Sequence, residues 1–236
     1  MKKVLGCFGA GCVTVIVLMI VVGFWGYNWC STTGKGIVVD AIDKIGVESA
    51  KLCLEPETAS EVEKLSSELK QDFMSDKLSI VNTFKYCVMD NATATAKVYA
   101  EMLFGTMYRK LCGNIVGGDD PNLADPEGAD TVRTVLYALV KDKLDPETAS
   151  NMTKFLTDDK TNSEAKSESN GGLAGSPKTT AIKHGISKAD MDKAVEALKN
   201  YVRDNNLETP EQDFEVDSTV KNALVSLIND IRTNCK

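Results

Sequence analysis

Two groups of side chains in this sequence have types and spacing suited to chemistry, an acidic loop and a set of cysteines. The loop reads GGDDPNLADPEGAD at 117–130. Closely spaced carboxylate and amide oxygens are the ligands that calcium prefers, but with Asp120 leading, the EF-hand spacing fails at Ala124 and Asp125. Ordinary capping of the following helix is the alternative. The candidate cation ligands are Asp119, Asp120, Asn122, Asp125 and Glu127.

Seven cysteines are present, three of them in or at the end of an apolar N-terminal stretch and four beyond it. An even number beyond the stretch favours disulfides if that part of the chain meets an oxidising compartment. Antiparallel packing of neighbouring helices would bring Cys53 to Cys112 and leave Cys87 for Cys235. Buried free thiols are the alternative in a reducing compartment.

Signatures of catalysis and of cofactor binding are missing from the sequence. No cysteine pair has CxxC spacing, and His184 is the only histidine, which disfavours a zinc site. Neither a GxSxG nucleophile motif nor a phosphate-binding GxxxxGK[ST] loop occurs. We therefore expect no cofactor and no enzymatic activity, and a hydrolase that uses two distant carboxylates is the weakest of the functions considered.

The N-terminal stretch indicates a membrane anchor. No charged residue lies between Lys3 and Lys35, and Trp25, Tyr27 and Trp29 crowd one end, where aromatic rings prefer the headgroup level. Residues 4–29 are long enough to span a bilayer as one helix. A short tail ahead of such a segment favours a single-pass signal anchor, with the N-terminus cytoplasmic and the main domain in the cell envelope. A cleaved signal peptide is the alternative.

The rest of the chain is acidic and reads as helical. Net charge is −7 at pH 7, and −9 (−7 − 2) without Lys2 and Lys3, which excludes nucleic acid as a partner. Apolar residues recur at helical spacing almost throughout, including a stripe through Ile80, Val81, Phe84 and Val88. The sequence predicts a mainly α fold, an irregular helical bundle behind the transmembrane helix.

The segment at 157–180 is polar and rich in Gly and Ser, so it predicts a flexible linker or loop. It divides the chain. We predict a tail and anchor at 1–34, a helical domain at 35–156, the linker at 157–180 and a C-terminal helical pair at 181–236.

A repeat is the most distinctive pattern in the chain. LEPETAS at 54–60 returns as LDPETAS at 144–150, with weaker echoes in ADPEGA at 124–129 and LETPE at 207–211. Proline at the first helical position followed by Glu is typical of a helix start, and Asp125, Asp145 and Thr209 are suitable caps. The repeat predicts a duplicated helical hairpin.

Taken together, these patterns favour a membrane-anchored extracytoplasmic protein that acts by protein–protein contact, as a scaffold, adaptor or receptor-like module. A tethered small-ligand or cation-binding domain is the alternative, because helical bundles often hold pockets between their helices.

Overall fold

The structure is a computed structural model that describes residues 42–114, 122–158, 181–182 and 185–236. The predicted anchor at residues 4–29 lies outside the described residues. Within those ranges, no helix combines the length and the apolar character needed to cross a membrane.

The described chain is mainly helical, as predicted. Eight α-helices are present: α1 Ser49–Cys53, α2 Pro56–Met74, α3 Ile80–Phe84, α4 Ala92–Leu111, α5 Pro126–Val140, α6 Pro146–Thr153, α7 Lys188–Asp204 and α8 Val216–Asn234. Two π-helical segments, π1 Ile42–Glu48 and π2 Lys85–Asp90, precede α1 and extend α3, and a 3₁₀ turn, Lys154–Leu156, follows α6. Strands β1 Thr157–Asp158 and β2 Ala181–Ile182 form one short antiparallel pair. That pair joins the two ends of the predicted linker, whose residues 159–180 lie outside the described ranges.

Helix α4 is central because it packs against four other helices, α1, α5, α6 and α8. Its long buried run of side chains includes Leu103, Phe104 and Met107. Helix α8 also packs along α2, and α7 packs on α5. The C-terminal pair predicted at 181–236 therefore contributes to the same hydrophobic core as the earlier helices.

Helix α4 comes close to its neighbours because Gly105 has no side chain. A Cβ placed there would lie 3.0 Å from Cγ2 of Val220 on α8 and 3.3 Å from both Cβ and the carbonyl oxygen of Cys53 on α1. A methyl group would fit here only if Val220 and α1 shifted by a few tenths of an ångström. Gly105 therefore sets the distance at which α1 and α8 pack on α4.

Both copies of the repeat start a helix and anchor it in the core. Pro56 and Pro146 are the first residues of α2 and α6. Each copy also buries its leucine and its alanine: Leu54, Ala59, Leu144 and Ala149. Asp145 caps α6 by accepting a hydrogen bond from the Thr148 N–H at 2.8 Å, whereas the Glu55 side chain makes no such bond.

The second of the two weaker echoes, LETPE at 207–211, does not start a helix, so the predicted cap at Thr209 is wrong. Helix α8 begins six residues after Pro210, at Val216. The intervening loop is held on α5 by Arg133, which donates to the carbonyl oxygens of Glu211 at 2.7 Å and Phe214 at 2.8 Å. Tertiary contacts with α5 thus fix a segment whose local sequence favours a helix start.

Candidate functional site

The strongest candidate site is the place where the end of α8 meets the segment from the end of α2 to π2; we call residues 72–90 and 229–236 the α3–α8 corner. The Ser79 N–H donates to the Cys235 carbonyl oxygen at 2.7 Å, and the Asn82 side-chain amide donates to the Lys236 carbonyl oxygen at 2.7 Å. Ser79 is also the N-cap of α3, accepting from the Asn82 N–H at 3.3 Å. The start of α3 therefore holds the residues that end α8.

A second set of contacts ties α8 to α2 at the same corner. The Arg232 guanidinium lies 2.8 Å from Glu68 Oε2 through Nη1 and 2.8 Å from Asp72 Oδ2 through Nε. Arg232 bridges two carboxylates on successive turns of α2, with one charge-assisted hydrogen bond to each, and such bonds are stronger than neutral ones. Arg232 thus fixes the register between the two helices.

Beside this ion-pair network lies a cavity of about 350 Å³. Its lining is polar and mixed in charge: Asp72, Lys77, Leu78, Asn229, Arg232, Thr233 and Lys236. The volume is at the small end of the range for ligand pockets. Three cationic side chains line it beside one carboxylate, and two of them, Lys77 and Arg232, pair with carboxylates of α2.

The outer face of the corner exposes apolar side chains. The large hydrophobic residues that are exposed in the described chain all fall within 74–89: Met74 at 57%, Val81 at 60% and Met89 at 70%. Val81 was predicted on the inner apolar stripe, and that prediction is wrong. In the structure Thr83 and Cys87 are buried instead. Thr83 on α3 and Cys87 on π2 thus form the buried face of this segment, and the wider π-helical turn begins only after Phe84.

The four predicted disulfide cysteines are free thiols in the structure. Cys53 lies against Gly105, and Cys112 is seven residues further along α4, about 10 Å by the rise of an α-helix. Bridged cysteines need Cβ atoms about 4 Å apart, so the structure does not bring Cys53 and Cys112 together. Cys87 and Cys235, by contrast, both lie in the α3–α8 corner.

Burial controls the protonation of these thiols. Desolvation raises the pKa of Cys53 and of Cys87 to about 12, and it also raises the pKa of Cys112 and Cys235. A negative charge on Cys235 is the second cause for Cys87. Because the thiolate is the reactive species, these cysteines are protonated and poorly nucleophilic at neutral pH in the folded protein.

The described part of the predicted cation loop serves helix initiation. Asn122 accepts from the Ala124 N–H at 3.1 Å, and Asp125 accepts from the Gly128 N–H at 3.0 Å as the cap of α5. Glu127 pairs with Lys199 on α7 at 2.9 Å. No group of three or more His, Cys, Asp or Glu side chains suited to a metal ion occurs among the described residues. Asp119, Asp120 and His184 lie outside them.

Sequence reasoning missed the corner as a site. The sequence held part of the information: Val81, Lys85 and Met89 recur every four residues, which is the spacing of one helical face. No local sequence pattern marks this helix face as the exposed one.

The chain matches no protein-family model, and no curated protein or solved structure is significantly similar to it. The function must therefore be argued from the corner itself.

Proposed function

We propose that the protein is a membrane-tethered, non-enzymatic helical module that binds another protein through the outer face of its α3–α8 corner. The tether is the apolar segment 4–29, and the main domain lies outside the cytoplasm. The domain is an irregular bundle built on a duplicated hairpin, with LxPETAS at the start of one helix in each copy.

One observation carries the proposal: Met74, Val81 and Met89 are exposed together in one segment. Scattered exposed apolar residues are ordinary, but a concentration of them on a polar surface is typical of protein contact sites. Methionine suits such surfaces because its side chain is flexible and polarisable.

Site-specific photocrosslinking in native membranes tests this proposal. A photoreactive amino acid at Val81 or at Met89 should give a discrete cross-linked product of the same partner. The same group at Ala197, an exposed position on α7, is the matched control and should give none. The proposal also expects Val81→Asp with Met89→Asp to abolish partner recovery while unfolding stays cooperative. The proposal would be overturned if Val81, Met89 and Ala197 gave the same cross-linked products. It would also be overturned if the double aspartate variant recovered as much partner as the wild type.

The corner cavity supports a second candidate function, binding of a small anionic ligand. Lys77 is 70% exposed and Arg232 and Lys236 line the same space, so an anion would meet positive charge without displacing a buried group. Inorganic phosphate and citrate are suitable probes, and each should raise the unfolding temperature. Lys77→Ala should remove that shift, whereas Lys188→Ala on α7 should leave it. No shift with either probe contradicts this candidate.

A further inference from the structure

We propose that Cys87 and Cys235 are a redox-modification site: they form an intramolecular disulfide that fastens the end of α8 to π2 in an oxidising thiol–disulfide environment. The inference is independent of the proposed protein contact, because it concerns covalent chemistry inside the corner.

Three features place the two thiols together. The Cys235 side chain hydrogen-bonds the side chain of Thr83, and the Cys235 carbonyl oxygen accepts from the Ser79 N–H at 2.7 Å. Cys87 follows Thr83 by four residues on the same buried face, and side chains at that spacing are neighbours. Burial raises the pKa of Cys87, a negative charge on Cys235 would raise it further, and the Thr95 side chain opposes the shift. Cys235 is therefore held from two sides against the turn that carries Cys87.

The surrounding backbone suits a bond between these residues. Cys235 ends α8 as its C-cap, donating its N–H to the Ile231 carbonyl oxygen at 3.0 Å. Residues after a helix end can adjust their backbone at less cost than residues inside it. The end of α8 is therefore the part of the corner that can move when the two sulfurs form a bond.

The other two cysteines show the contrast within the same protein. Cys53 hydrogen-bonds its own helix, donating to the Ala50 carbonyl oxygen at 3.7 Å, and packs on Gly105. Cys112 hydrogen-bonds Tyr108, one turn earlier on α4. Neither has another described cysteine beside it, so they serve as internal controls.

The reaction is thiol–disulfide exchange with a small-molecule disulfide such as oxidised glutathione. One corner thiol loses its proton and attacks a glutathione sulfur, which forms a mixed disulfide and releases one glutathione thiolate. The second corner thiol loses its proton and attacks the protein sulfur, releasing the second glutathione. Two electrons pass from the cysteines to glutathione, and the two protons end on the released thiols. Burial makes the step slow unless the end of α8 opens, because the attacking group must be a thiolate.

Peptide mapping of the full chain, in detergent and without reduction, tests the site. After equilibration with reduced and oxidised glutathione at several ratios, a linked peptide containing Cys87 and Cys235 should form, while Cys53 and Cys112 stay alkylatable. Cys235→Ser should remove the linked peptide and leave Cys87 free, and Cys112→Ser should change nothing. A Cys53–Cys112 or Cys53–Cys87 peptide, or free Cys87 and Cys235 at every ratio, overturns the proposal.

A second measurement covers the case in which a serine variant does not fold. Dithiothreitol should lower the unfolding temperature of the oxidised wild type by roughly 5 °C or more, because the bond closes a very long loop. The same treatment should leave Cys112→Ser as sensitive as wild type and Cys87→Ala insensitive. An oxidised wild type with no sensitivity to reduction contradicts the proposal even where the serine variants are lost.

Discussion

At the scale of single residues, Glu101 is the least expected side chain in the core. It lies on α4 with 5% of its surface exposed. Desolvation raises its pKa to about 7, opposed by the positive charge of Lys97 and aided by the negative charge of Asp142. Lys97 is itself engaged, at 2.6 Å from Asp142 Oδ1 and 3.2 Å from the Val140 carbonyl oxygen. Glu101 thus shares Lys97 with Asp142.

This raised pKa makes stability fall as the pH rises. The folded state retains the proton of Glu101 between an ordinary carboxyl pKa of 4.5 and about 7. Below pH 4.5 Glu101 therefore costs no stability. Above pH 7 its ionisation lowers the free energy of unfolding by roughly 3 kcal/mol. Glu101→Gln should remove most of that dependence and be more stable than wild type at pH 8.

Urea unfolding at pH 5 and pH 8 measures the difference. The control is Glu196→Gln on the exposed face of α7, which should keep the wild-type difference between the two pH values. Equal pH dependence in wild type and Glu101→Gln would show that Glu101 is not the titrating group.

At the scale of elements, the two copies of the repeat provide a matched experiment on helix capping. Asp145 accepts from the Thr148 N–H, whereas Glu55 caps nothing at the same place in the other copy. Hydrogen bonds from the Thr148 side chain and then from its N–H lower the pKa of Asp145. Asp145→Ala should cost about 1 kcal/mol of unfolding free energy. Glu55→Ala should cost less than about half of that.

The pH dependence of the unfolding free energy distinguishes the loss of the cap from other effects of the Asp145→Ala substitution. Because the folded pKa of Asp145 is lowered, its stabilisation is present above the unfolded pKa near 3.8 and is lost as the pH falls through the folded value. The gap between wild type and Asp145→Ala should therefore narrow in acid. Equal costs for the two variants at neutral pH would contradict the assignment of the cap.

The elements also show what sequence can predict. Helices α7 and α8 and the proline starts of α2, α5 and α6 follow from spacing and capping chemistry, which are local. The loop at Pro210 does not, because it depends on Arg133 from α5. The exposure of Val81 does not either, because α3 buries the polar Thr83 in its place. The corner site was missed for the same reason: residues far apart in sequence form it.

At the scale of the whole molecule, a single glycine lets regions separated by the predicted linker share one core. Helix α8 packs closely on α4 at Gly105, where Val220 Cγ2 lies 3.0 Å from the position that a Cβ would occupy, and α1 approaches the same position through Cys53. Domain boundaries drawn from composition do not reveal this contact, since a lone glycine in an apolar helix has no distinctive pattern around it.

Replacing Gly105 by alanine should therefore lower the free energy of unfolding, although alanine is ordinarily preferred over glycine inside a helix. Glycine to alanine inside a helix ordinarily stabilises by about 0.5–1 kcal/mol. Here the added methyl would lie 3.0 Å from Val220 Cγ2 and 3.3 Å from the Cys53 carbonyl oxygen, so Gly105→Ala should destabilise by roughly 1–3 kcal/mol. Urea unfolding of the full chain measures the net change. A double-mutant cycle with Val220→Ala isolates the cause, because removing Cγ2 should recover part of the loss through a favourable coupling of about 1 kcal/mol. Strictly additive costs, or a stabilising Gly105→Ala, would show that α8 does not pack on α4 at this distance and that the two regions do not share a core here.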